Sequence, residues 1–197
     1  MKSHDWKLNL KLKNYEFMQF EVELLKAAHE MARSKGFWDK PSSDLRKINL
    51  IRSEMGEIME AHRKNKIRGG TVSDEYFRED YANNVKGTVE EEIADVCIRV
   101  FDFVGSEAKM LEVWDVCNKE EQERLSDFDE LLDLAYQYAD ISPAEEVRRF
   151  IRIPTQLHGL VCCMINMAEM FEIDLRKAIE MKMRFNAGRE YLHGKSY

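Results

Sequence analysis

Thr88-Val-Glu-Glu-Glu-Ile-Ala-Asp-Val-Cys-Ile-Arg-Val-Phe-Asp-Phe-Val-Gly105 is the stretch on which the fold turns. Val89, Ile93, Val96, Cys97, Val100, Phe101 and Val104 recur at the three- and four-residue steps of an α-helix. Thr88 and Glu91 have the spacing of a capping box, in which the threonine caps the helix and the glutamate reaches back. The pattern stops at Gly105. A helix with so long an apolar stripe needs other elements to cover it.

The flanking sequence offers them. Upstream, a helix from Asp44 to about Lys66 carries Leu45, Ile48, Ile51, Met55, Ile58, Met59 and His62 on one face. Gly69-Gly70 breaks it, and residues 67–87 are polar, with room for a short helix around Asp74–Tyr81. An earlier helix runs from about Tyr15 to Ser34, with Gly36 as its C-terminal cap. Downstream, helices are expected around Glu107–Cys117 and Lys119–Tyr138. Another opens at Ser142-Pro143, where proline suits the first helical position, and ends at Pro154. Two more follow, over Thr155–Phe171 and from Asp174, a cap, to about Ala187. Residues 6–13 alone alternate, Trp6, Leu8, Leu10 and Leu12 against polar neighbours, as an extended arm does. The expectation is an all-α protein, with an arm over 1–14 and a single helical-bundle domain over 15–197.

Composition agrees with a packed core. The 197 residues are 44% hydrophobic and 34% charged, and 9 glycines and 3 prolines leave few helix breakers. A net charge of −7 argues against binding a nucleic-acid duplex, whose phosphates favour basic partners. The N-terminal residues lack the apolar core of a signal peptide, and no run approaches a membrane span of about 18 residues. Cys97, Cys117, Cys162 and Cys163 form no CxxC pair. They read as reduced, buried thiols of a cytoplasmic protein that has no membrane partner.

Four carboxylates carry the chemical signal. Glu54 and Glu57 stand three apart on the shoulder of one apolar stripe, and Glu92 and Asp95 repeat the spacing on the next long helix. Bringing those shoulders together gathers like charges that repel even when solvated. A hard divalent cation removes that cost, and all-oxygen ligands select Mg²⁺ or Mn²⁺ over zinc. Charged helices also carry ExxE pairs without any metal, and acidic residues suit the positive end of a helix dipole. A ferritin-like di-iron site needs Glu-x-x-His, but position 59, three before His62, is Met. Near the C-terminus, Lys182, Asn186 and Arg189 follow one helical stripe and offer cations and an amide to phosphate oxygens or a sugar. A basic helix end complementing its own dipole has the same pattern.

Taken in order, Glu54-Met-Gly-Glu57, Glu92-Ile-Ala-Asp95 and the ending Lys182-Met-Arg-Phe-Asn186-Ala-Gly-Arg189 resemble the MazG-like all-α nucleoside triphosphate pyrophosphatase superfamily. The resemblance covers about residues 20–105 and 160–195. It implies Mg²⁺-dependent hydrolysis of a (deoxy)nucleoside triphosphate to the monophosphate and pyrophosphate. Glu54, Glu57, Glu92 and Asp95 would be the metal ligands and catalytic carboxylates. Lys182 and Asn186, and more weakly Arg189, would contact phosphate and nucleoside. His29 and Trp38 precede Glu54 at spacings similar to the dCTP-pyrophosphatase branch, where such residues line the base pocket. A homo-oligomer, dimer or tetramer, is implied as well.

The chain departs from the family pattern in three places. Thirty-four residues separate Glu57 from Glu92, a helical insertion occupies about 106–155, and Arg99 stands where some relatives carry an aromatic. The competing expectations are a catalytically silent helical oligomer that binds nucleotide or a protein, and a phosphoribosyl-ATP pyrophosphohydrolase.

Overall fold

The computed structural model describes residues 21–117, 125, 127–141 and 149–194, and all regular elements among them are helical. They are α1 (Glu21–Ser34), α2 (Asp44–Arg63), α3 (Phe77–Asn84), α4 (Val89–Gly105), α5 (Ala108–Cys117), α6 (Phe128–Tyr138), α7 (Arg149–Met170) and α8 (Leu175–Ala187), then a 3₁₀ turn at Tyr191–Gly194. α4 is apolar around most of its circumference, so it must be surrounded. α1 and α2 lie along it most extensively, α8, α7 and α5 close its other sides, and α6 rests on α7. Leu25 of α1, Ile51 and Met55 of α2, Val100 and Phe101 of α4, Leu160 of α7 and Ile179 of α8 are all fully buried in the resulting core. Each such side chain contributes about 1.5–3 kcal/mol by leaving water.

Side-chain caps fix where the helices begin. The side chains of Ser43, Thr88, Asp127 and Asp174 accept the backbone N–H of Arg46, Glu91, Glu130 and Lys177 respectively, satisfying donors that have no partner within the helix. Gly36 turns the chain out of α1 at φ +82°, a conformation glycine adopts at no steric cost. The capping box at Thr88 is displaced by one residue. Glu91 Oε2 accepts the N–H of Gly87, while Thr88 N–H goes to the carbonyl of Val85.

Several expectations are corrected. Pro154 does not end a helix: α7 runs from Arg149 through it to Met170. A proline removes one backbone hydrogen bond and bends a helix, but here Ile153, Pro154 and Leu157 are buried together and hold the helix across it. α6 begins at Phe128 with Asp127 as its cap, and residues 119–124 of the helix expected from Lys119 lie outside the described residues. Leu45 and Met59 are each 41% exposed and so lie off the buried face of α2. The short helix between the glycines and Thr88 is α3, three residues further along than expected. The arm at 1–14, the first turn of the helix expected from Tyr15 and the Ser142-Pro143 opening lie outside the described residues.

α3 belongs to a separate small cluster. Phe77, Tyr81 and Val85 pack with Val72, Met181 and Phe185, and the rings of Tyr81 and Phe185 stack at 4.6 Å. This clamps the loop between α2 and α4 onto α8. The four cysteines are buried and in no disulfide, and burial pushes the Cys163 thiol up to about 12. Among the described residues no helix is long and apolar enough to cross a membrane.

Candidate functional site

Glu92, Asp95, Arg99 and Asp102 form the polar strip of α4, each three or four residues from the next. The other polar groups of the site come from neighbouring helices that meet this strip. Glu54 and Glu57 reach it from α2, Lys182 from α8, and His29 from α1, while Asn186 follows Lys182 by one turn on α8.

Glu54, Glu57 and Glu92 each place a carboxylate oxygen within 4.8 Å of the others. Glu54 and Glu92 are buried and Glu57 is exposed, so the cluster opens to solvent at Glu57. Oxygens opposite one another on a divalent ion stand about 4.2 Å apart at Mg–O bonds of about 2.1 Å, and up to about 5.2 Å for Ca²⁺. Closing these three carboxylates on one ion therefore takes less than about 1 Å of side-chain movement. Oxygen-only donors suit hard cations.

Asp95, the fourth sequence candidate, is not in this group. Its Oδ2 lies 2.6 Å from the ammonium of Lys182, which also contacts Glu91 Oε1. Lys182 is only 6% exposed. The lysine expected to meet phosphate is thus held inside the protein by two carboxylates. Burial alone would lower its pKa, but Asp95 and Glu91 outweigh burial and raise it. Arg99, by contrast, sets both Nε and Nη2 at 2.5 Å from Glu54 Oε1.

The electrostatics follow from crowding. Burial first, then Asp95, Glu91 and Glu57, push Glu92 up to about 8, against the opposing pull of Lys182. Burial also raises Asp95, to about 6, although Lys182 offsets part of the effect. An acid cluster in a low-dielectric wall holds protons or cations. Here it holds both.

His29 and Trp38 are brought together at the far end of the strip. His29 Nδ1 is 2.9 Å from Asp102 Oδ1, Trp38 Nε1 donates to the same oxygen at 2.8 Å, and the two rings meet edge-on at 4.7 Å. The Lys47 ammonium lies 4.1 Å from the Trp38 ring centroid. Asp102 is seven residues past Asp95, about 10 Å along the helix axis. An open cleft lined by Glu30, Arg33, Ser34, Trp38 and Asp39 includes this tryptophan but none of Glu54, Glu57, Glu92 and Asp95.

At the opposite end, Tyr81 Oη and Asn186 Oδ1 are buried and make no hydrogen bond. The carboxylates that act on the Tyr81 hydroxyl are Glu91, Asp95, Glu90 and Glu92, and together with burial they push its pKa far up. Arg189 does not share the stripe of Lys182 and Asn186, because α8 stops at Ala187 and Gly188 caps it. Its backbone carbonyl instead accepts the ammonium of Lys35 at 2.7 Å.

Glu91, Asp102 and Tyr81 were not among the sequence candidates. Asp102 could have been found by continuing the Glu92–Asp95–Arg99 strip one more turn. Glu91 was absorbed by its capping role, and Tyr81 carries no local signal. No family model, no curated protein and no solved structure matches the chain.

Proposed function

We propose that the protein hydrolyses a (deoxy)nucleoside triphosphate to the nucleoside monophosphate and pyrophosphate, using Mg²⁺ (Mn²⁺ as a substitute) at Glu54, Glu57 and Glu92. The observation that carries this reading is the approach of three carboxylates from two helices to within 4.8 Å of one another, with one side open to solvent. The order of the ExxE, ExxD and Lys/Asn segments, similar to MazG-like pyrophosphatases, supplies the reaction. A metal bound there lowers the pKa of an attacking water and neutralises charge on the phosphates.

The chain's own groups divide the remaining work. Glu57 borders solvent, where substrate and water enter. Glu92 gives up a proton to become a ligand, since its pKa near 8 leaves it largely protonated at neutral pH. Lys182 and Asn186, from one face of α8, serve the phosphates or sugar once Asp95 is engaged elsewhere. His29 and Trp38, fixed by Asp102, offer a surface for the base, and such stacking is worth about 1–3 kcal/mol per base. Arg189 stands past the end of the helix, beyond the Gly188 cap. The functional form is a homo-oligomer, dimer or tetramer.

A second reading has an observation of its own. Lys182 and Arg99 already neutralise Asp95 and Glu54, as a silent helical protein that binds nucleotide would need. One experiment separates the two. The chain is incubated in Mg²⁺ with each common NTP and dNTP, and with phosphoribosyl-ATP, while pyrophosphate and orthophosphate are assayed separately. Pyrophosphate release that Glu57→Gln reduces at least about 100-fold is the expected result, in the range of losses seen when a catalytic electrostatic group is removed. Orthophosphate alone means attack at the terminal phosphorus, and no release on any substrate favours the binding protein.

A further inference from the structure

Arg99 is placed where two cations have a claim on one carboxylate. Its Nε and Nη2 converge on a single oxygen, Glu54 Oε1, at 2.5 Å, and Glu54 belongs to the group whose oxygens could share a metal ion. The glutamate is 8% exposed, whereas the arginine side chain keeps 35% of its surface open. The arginine is therefore the partner of the pair with solvent-accessible surface. A positive charge in contact with a carboxylate weakens that group for any second cation. A triphosphate removes the conflict, because a planar guanidinium pairs with phosphate oxygens in the same forked geometry that it uses with carboxylate.

We propose that Arg99 couples metal uptake to triphosphate binding: it rests on Glu54, and passes to a phosphate oxygen as a divalent ion takes that carboxylate. This rests on the metal-site reading given above. The groups that face Arg99 fit the exchange. Asp95 lies one turn before it on α4, where Lys182 pairs with it, and Asp102 lies one turn after, where His29 Nδ1 and Trp38 Nε1 meet its Oδ1. A separate observation points to a polar ligand beside the same carboxylates. Tyr81 is 1% exposed and Asn186 6%, yet the hydroxyl of one and the amide oxygen of the other have no hydrogen-bond partner. Buried polar atoms are normally paired, and a sugar hydroxyl, which both donates and accepts, would pair either of them.

The test is Mn²⁺ binding to the full chain, read by the free-ion signal in electron paramagnetic resonance. It is done with and without inorganic tripolyphosphate, with a protein-free control for chelation. Arg99→Gln is expected to bind Mn²⁺ alone at least about 5-fold more tightly than the parent chain, the low end of coupling between linked sites. Tripolyphosphate should strengthen Mn²⁺ binding to the parent chain and do so at least about 5-fold less in the variant. A merely structural ion pair predicts that tripolyphosphate strengthens Mn²⁺ binding equally in the folded variant and the parent chain, and that result overturns the proposal. If Arg99→Gln does not fold, Arg99→Lys decides. It keeps the charge but loses the fork, so Mn²⁺ alone should bind as in the parent chain while the tripolyphosphate effect falls; an unchanged effect overturns the proposal. Absence of Mn²⁺ binding to the parent chain in both conditions overturns the metal site as well, which separates that failure from failure of the coupling alone.

Discussion

Glu92 carries a charge history that a pH titration can read. Its folded pKa of about 8 stands above the ordinary 4.5, so between those values the folded chain binds a proton that the unfolded chain has lost. Stability contributed by that proton is present at low pH and is lost as pH rises through this window. Asp95, raised to about 6, has the same sign over a lower range. His158 opposes both. Burial lowers it to about 4 from 6.5, so its effect favours the folded state increasingly as pH rises between those values. Above pH 6.5 the Glu92 effect therefore stands clear of the other two. The melting temperature of the metal-free chain is expected to fall from pH 6.5 to 8, and Glu92→Gln should flatten that fall. Added Mg²⁺ should raise it more at pH 8 than at 6.5, because a metal takes the deprotonated carboxylate. Differential scanning calorimetry measures all three. At this scale the sequence was only partly legible. Spacing alone picked out Glu54, Glu57 and Glu92, but the Lys182–Glu91 contact spans 91 positions and the Arg99–Glu54 contact 45. No local pattern announces partners that far apart.

Element starts were readable at some capping side chains, although Asp127, the cap of α6, was passed over for a start at Lys119. α2, α4 and α8 begin where Ser43, Thr88 and Asp174 say they do. Pro154 misled because a local rule was applied to a helix whose tertiary packing is strong enough to override it. The joint between α1 and α4 gives a sharper test of packing. A Cβ on Gly105 would lie 2.4 Å from the Leu25 carbonyl oxygen, a backbone atom that cannot rotate aside. Helix propensity favours alanine over glycine by about 1 kcal/mol, yet overpacking costs about 1–3 kcal/mol. Gly105→Ala is therefore expected to lower the melting temperature, at about 2–4 °C per kcal/mol for a chain of this size. A thermal melt followed by circular dichroism settles the sign, and a rise would mean that α1 slides away freely.

The all-helical character of the described residues was legible from breaker scarcity and period, whereas the arrangement of helices about α4 was not. Periodicity says that a face is buried and not what buries it. Leu45, Met59, Val116, Tyr136 and Ile151 remain exposed on the single chain, more large apolar surface than isolated side chains explain if they cluster on assembly. Sedimentation velocity should give two or four times the 23.3 kDa chain mass, and a monomer at micromolar concentration would remove the oligomer from the proposed function. The central place of α4 has one more consequence. Its covering helices lie on both sides of it in sequence, α1 and α2 before and α5, α7 and α8 after. During synthesis, at about 5–20 residues per second, α4 leaves the ribosome with two of its neighbours made and the others still unwritten. Half of its greasy circumference then waits several seconds for a cover, which makes that nascent stage the one at which this chain most needs a chaperone.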